Sequence, residues 1–199
     1  MVGIDLSPIQ PTWVPPNLSF EIDDLEENWT FKPESVDFLH SRQLHGIKNW
    51  PRYFQQAFTV LKPGGYFEVV ERGIRSDSDD GSLPEDCALR QFQEDSVAVT
   101  EKIGRPMHVG PKVEGWLRDA GFTITSSKVS KLPLGDWPAD PVQKQIGAFM
   151  KIVSVGGIEG YALKIQTNLL GRSIEEAQTR LIDIRKDLLN KKYHSYSML

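Results

Sequence analysis

Leu61-Lys62-Pro63-Gly64-Gly65-Tyr66-Phe67-Glu68-Val69-Val70-Glu71 joins a helix breaker to an extended apolar run. Proline has no N–H and glycine leaves a helix cheaply, so Lys62 to Gly65 ends any helix that precedes it. Tyr66 to Glu71 then reads as a strand. Just upstream, Phe54, Phe58 and Leu61 recur at helical spacing. Asn49 is a suitable cap for that helix, and Pro51 falls in the first turn, where proline is tolerated. Before the cap, Ser35 to Ser41 reads as another strand. Strand, helix, turn and strand at this spacing make a βαβ unit, which places the two strands parallel in one sheet.

The same reading extends outward. Val2 to Leu6 is a short apolar strand with Asp5 at its carboxyl end. Pro8, Pro11, Pro15 and Pro16 make Ser7 to Asn17 an ordered loop. Leu18 to Ile22 alternates apolar and polar residues, as a half-buried strand does, and ends in Asp23-Asp24. On the other side, Arg72 to Ser82 is polar and expected to be mobile. Helices are expected over Pro84 to Ile103 and Pro111 to Ala120, the second stopped by Gly121. A strand is expected to open at Phe122 and run toward Leu134. Gly156-Gly157 divides the next apolar region into two expected helices, Val142 to Val155 and Ile158 to Leu170. The last helix is the clearest: Ser173 and Glu176 have capping-box spacing, and Ile174, Ala177, Leu181, Ile184 and Leu188 form its stripe. Tyr193 to Leu199 begins a final strand.

Composition narrows the function. The 199 residues carry 23 Lys plus Arg against 27 Asp plus Glu, a net charge of −4. Nucleic-acid binding needs clustered positive charge, so none is expected. No unbroken run of about 18 apolar residues occurs, so no membrane span is expected either. Cys87 is the only cysteine, which removes internal disulfides and cysteine-based metal sites; no metal is expected. The expected compartment is cytoplasmic or nuclear.

Acids at the carboxyl ends of parallel strands have a specific use. Ligands of open α/β sheets bind outside those ends, and a carboxylate there accepts both hydroxyls of a ribose. Asp5 suits that role. Asp23 and Asp24 suit contact with an adenine amino group, and Leu25 suits packing on the adenine face. Glu71 ends a strand at the same edge and either faces the cleft or caps a loop.

Val2-Gly3-Ile4-Asp5-Leu6-Ser7-Pro8, Phe20-Glu21-Ile22-Asp23-Asp24 and Leu61-Lys62-Pro63-Gly64-Gly65-Tyr66-Phe67-Glu68 occur in the order and spacing of a class I S-adenosylmethionine-dependent methyltransferase. Asn28-Trp29-Thr30-Phe31, Phe38-Leu39-His40-Ser41-Arg42, Asn49-Trp50-Pro51, Gly135-Asp136-Trp137-Pro138 and His194-Ser195-Tyr196 narrow the match. Over nearly its whole length the chain resembles the LaeA-like methyltransferases of filamentous fungi, tailoring enzymes or regulators of secondary-metabolite clusters.

That resemblance implies an α/β chain with an incomplete Rossmann-like class I methyltransferase fold: a mostly parallel sheet flanked by helices, the first strand and helix missing, and a helical C-terminal part. It implies one domain over 1–199, with a partial cofactor-binding half at 1–75 and substrate-side and C-terminal elements at 76–199. S-adenosylmethionine is the implied cofactor, with Asp5 on the ribose, Asp23 and Asp24 on the adenine side and Leu25 beside them. His40 is the implied catalytic residue, orienting an acceptor or taking its proton. His45 and His108 are weaker candidates, and His194 is structural. Trp116, Trp137, Phe149 and Tyr161 are aromatic candidates for lining a small-molecule acceptor site.

One departure matters. The family places a Gly-rich turn after its first strand to approach the methionine end of the cofactor. Here the first strand resembles the family's second, and the Gly-Gly pairs stand at Gly64-Gly65 and Gly156-Gly157. The chain therefore reads as a truncated form with two inner sheet edges left open. Three functions are compatible: methyl transfer; a cofactor-independent, cyclase-type use of the cleft; and a regulatory interaction module. An open edge is the expected contact for a homodimer or a regulatory protein.

Overall fold

The computed structural model describes residues 1–44 and 46–199. Its elements in chain order are β1 (Val2–Asp5), β2 (Ser19–Ile22), β3 (Val36–Arg42), α1 (Trp50–Val60), β4 (Leu61–Val70), β5 (Ser76–Asp77), α2 (Ala88–Lys102), α3 (Gly110–Asp119), β6 (Lys131–Pro133), α4 (Pro141–Lys164), α5 (Ile174–Leu189) and β7 (Tyr196–Met198). The α/β class is as expected, and so is the βαβ unit. β3 and β4 pair in parallel with α1 between them, and Asn49 caps α1 by accepting the Arg52 amide at 3.0 Å.

The Lys-Pro-Gly-Gly turn sits differently from the expectation. Val36 already pairs with Leu61, and the next pair is Phe38 with Tyr66. Residues 62–65 therefore loop out of a strand that has already begun. Gly64 takes φ +80° there, and a Cβ on Gly65 would stand 3.0 Å from the carbonyls of both Asp37 and Lys62. The turn needs glycine at both places.

β1 and β2 form a second parallel pair. Among the described residues no strand joins this pair to β3–β4. Beyond β4 the chain adds a third, antiparallel sheet. The Gly73 amide donates to the Met198 carbonyl at 2.7 Å, and β7 runs antiparallel between β5 and β6. β5, β7 and β6 thus make a separate antiparallel sheet, tied to the residues after β4 by the Gly73–Met198 hydrogen bond.

Several expected elements are corrected. The strand from Phe122 shrinks to Lys131–Pro133. The helix from Pro84 starts only at Ala88. The segment 72–82, expected to be mobile, is tied down: Ser78 donates to Asp80 at 2.8 Å, Asp80 meets His194 Nδ1 at 2.6 Å, and the His194 amide donates to Ser82 Oγ at 2.8 Å. Gly156-Gly157 does not divide two helices. α4 runs through both and continues as a π-helical turn over Ile165–Leu169, because a helical backbone pays for glycine only about 1 kcal/mol each. Pro141–Leu169 is long and apolar enough to cross a membrane by length and composition, with 17% of its most apolar window buried.

The buried residues form two clusters. One packs Trp50, Tyr53 and Phe54 of α1 against Val109 and Ala120, with Phe67, Val69 and Trp116 alongside. Trp50 and Trp116 stack with ring centres 5.9 Å apart. The other joins Leu89, Phe92 and Val97 of α2 to Ile158 and Ala162 of α4 and to Leu181, Ile184 and Leu188 of α5. The Ser173–Glu176 capping box forms as read.

Candidate functional site

Parallel pairing brings the first acids together. Asp5 lies opposite Ile22, so the chain leaves β1 and β2 at the same edge. There the Asp23 amide donates to the Asp5 carbonyl at 3.1 Å. The Asp5 carboxylate is held by the proline-rich loop: Oδ1 accepts the Ser7 amide at 2.9 Å, and Oδ2 accepts Gln10 Nε2 at 3.1 Å. Each carboxylate oxygen has two lone pairs, so acceptor capacity remains. Beside it, Ser7, Gln10, Thr12, Phe20 and Glu21 line an open cavity of about 240 Å³.

Asp23 Oδ1 accepts the Asp24 amide at 2.8 Å, and Asp24 Oδ1 accepts the Glu26 amide at 2.9 Å. Leu25 is half-buried against the α1 aromatic cluster, and its carbonyl accepts Trp29 Nε1 at 3.1 Å. Asp5, Asp23, Asp24 and Leu25 thus share one sheet edge. Gln10 and Glu26 belong with them. Neither was among the sequence candidates, because a loop side chain's direction leaves no periodic signal.

His40 stands on the other parallel pair. It lies opposite Glu68, with Nδ1 2.7 Å from Glu68 Oε2, and both side chains are about half exposed. Strand alternation puts Leu39 and Ser41 toward α1 and His40 on the opposite face. The α1 side carries a second set of groups. Glu71 Oε1 accepts the Leu44 amide at 3.0 Å, so Glu71 does cap a loop. Its Oε2 is buried with no hydrogen-bond partner among the described residues, and burial pushes its carboxyl above the usual carboxylate range. Burial also raises the Tyr53 hydroxyl to about 12, with Ser41 pulling the other way and the Glu71 charge adding to the rise.

The remaining candidates are dispersed. His45 lies outside the described residues. His108 sits near Gly73, and burial lowers its pKa. His194 pairs with Asp80 and stacks on Trp137, 5.3 Å between ring centres. Trp116 is in the α1 cluster, Phe149 is 61% exposed, and Tyr161 packs edge-on to Phe92. These aromatics do not line one acceptor cleft. Among the described residues no group of three or more His, Cys, Asp or Glu is placed to hold a metal ion.

A model of the methyltransferase domain matches residues 1–127, which covers both parallel strand pairs and the acids at their ends. The chain belongs to the methyltransferase-domain family. It is 37% identical to methyltransferase pytC of Aspergillus terreus over 98% of this chain and 60% of that protein. It is 32% identical to the secondary metabolism regulator LAE1 of Cochliobolus heterostrophus over 99% of this chain and 66% of that one. The protein-methionine methyltransferase laeA of Emericella nidulans is 30% identical over 100% of this chain and 54% of its own. The chain therefore spans between about half and two thirds of the length of these relatives. Within the family, its α/β architecture is that of a partial Rossmann-like class I methyltransferase fold.

The residues present fit one half of the family's cofactor. Asp5, Asp23 and Asp24 offer acceptors at one edge, matching the donors of a ribose and an adenine amino group. Gly64-Gly65 lies in the β4 bulge and Gly156-Gly157 on α4. Neither pair borders the acids' strands, so no residue is assigned to the methionine end.

Proposed function

We propose that the protein takes part in S-adenosylmethionine-dependent methylation of a small-molecule acceptor in fungal secondary metabolism, in the cytoplasm or nucleus. The observation that carries this reading is the Asp5–Asp23 junction. Two neighbouring parallel strands deliver acids to one edge, fixed by the hydrogen bond between their main chains. In the proposal Asp5, oriented by Gln10, accepts the ribose hydroxyls, and Asp23 and Asp24 face the adenine amino group. When bound, S-adenosylmethionine supplies an electrophilic methyl group. What the protein adds is mostly position: the acceptor must be held in line in a site poor in water.

His40, half exposed and paired with Glu68 at the face of β3–β4 away from α1, is the residue proposed to orient the acceptor or take its proton.

Regulation is the second reading, favoured by the relative named as a secondary metabolism regulator over 99% of this chain. The two readings separate in a transfer assay. Purified protein is incubated with methyl-labelled S-adenosylmethionine and a panel of phenols and enols. Label in a small molecule, lost in Asp5→Ala, supports methyl transfer. Label in no acceptor, with an unchanged fold, removes it and leaves the regulatory reading.

A further inference from the structure

We propose that the outward face of α4 is a homodimer interface, in which the helix packs antiparallel on its own copy. Phe149, Ile152 and Val153 are 61%, 67% and 64% exposed, one helical turn of bulky apolar side chains facing water. Gly156 and Gly160 continue the same stripe one and two turns further on. A Cβ at either would meet nothing within 4 Å. The opposite face of the helix is the one buried, through Ile158 and Ala162. Half of the exposed stripe is thus raised and the other half is hollow.

The two halves match each other under a two-fold axis. With the axis passing between Ser154 and Val155, Phe149 falls opposite Gly160 of the partner subunit, and Val153 falls opposite Gly156 of the partner subunit. Symmetry repeats both contacts, so the patch is complementary to itself, as a two-fold interface requires. Glycine at the receiving positions lets two helices approach closely, and the stripe positions 149, 153, 156 and 160 carry no charge, while Lys151 and Glu159 of the same span are paired with Asp136 and Arg185. A helix pair of this length covers on the order of 500 Å² per protomer, at the low end of specific interfaces, so the dimer is reversible. The inference is independent of methyl transfer and uses a different surface from the open strand edges.

Sedimentation velocity over a range of micromolar concentrations tests it. A concentration-dependent shift from monomer to dimer is expected, with the Phe149→Ser/Val153→Ser double variant weakening the dimer at least about tenfold. Gly160→Leu separates this account from a merely exposed helix. Filling the hollow weakens dimerisation, whereas on a free solvent face the same change favours the helix and leaves the mass unaltered. A monomer at every concentration overturns the proposal, and so does a dimer that neither variant affects. A monomer that co-floats with phosphatidylcholine vesicles overturns it in favour of a membrane surface.

Discussion

Glu26 Oε2 and Arg105 Nη1 meet at 3.0 Å and join the loop after β2 to the link between α2 and α3. The rest of Glu26 is engaged as well. Its Oε1 accepts the Lys48 amide at 2.7 Å, its carbonyl accepts Arg52, and its own amide donates to Asp24. Removing the side chain leaves Arg105 and the Lys48 amide without this partner. Glu26→Ala is expected to cost about 1–2 kcal/mol in urea unfolding, and to weaken S-adenosylhomocysteine binding by loosening Asp24.

The crossing of α4 over β6 depends on a missing side chain. Gly147 is buried, and a Cβ there would run into the Gly135 carbonyl and stand 3.1 Å from Pro133 Cβ. Gly147→Ala is expected to destabilise by about 1–3 kcal/mol through overpacking. Gly115 is the control: on α3 a Cβ meets nothing within 4 Å, so Gly115→Ala should stabilise by roughly 0.5–1 kcal/mol. Thermal denaturation of both variants checks the pair.

Asp80 fixes the segment 76–82 to the C-terminal strand. Hydrogen bonds from Ser82, Ser78 and His194 hold its carboxyl well below the usual carboxylate range. A depressed pKa means that this contribution is present above the unfolded carboxylate range and disappears as pH falls through the lower folded value. Amide exchange in residues 76–82 and 194–198 should therefore be slow near neutral pH and accelerate only in strong acid. Asp80→Ala should show the fast exchange already at neutral pH.

Glu71 has the opposite sign. Burial raises its pKa, so the folded state binds a proton more readily than the unfolded chain. Its contribution is complete below the unfolded carboxylate value and is lost as pH rises through the folded one. Glu71→Gln keeps an oxygen for the Leu44 amide and removes the charge. The variant should gain stability relative to the parent as pH rises above the unfolded carboxylate value, about 4.

The sequence made some features legible for physical reasons. The βαβ unit could be read because Asn49, Pro51 and Gly64-Gly65 constrain the main chain locally. The Ser173–Glu176 box is likewise local. The place of Asp5, Asp23 and Asp24 at the ends of β1 and β2 could be read because strand ends carry their own signal. Misreadings came where tertiary context decides. Gly156-Gly157 looks like a break, but the packing of Ile158 and Ala162 carries the helix through it. Ser76 to Ser82 looks mobile because His194, more than 100 residues away in sequence, supplies its anchor. Phe122 to Ser130 has strand-forming residues, yet of this region only Lys131–Pro133 pairs as a strand with β7. Gln10 and Glu26 show how a site is completed by side chains whose positions depend on loops.

Calorimetric titration of the 199-residue chain with S-adenosylhomocysteine, run beside Asp5→Ala, tests the proposed nucleoside site most directly. The account predicts saturable binding by the parent and at least about a tenfold loss in the variant, as expected for removing a charged hydrogen-bond acceptor. A folded parent that binds nothing, or a variant that binds equally well, would contradict it.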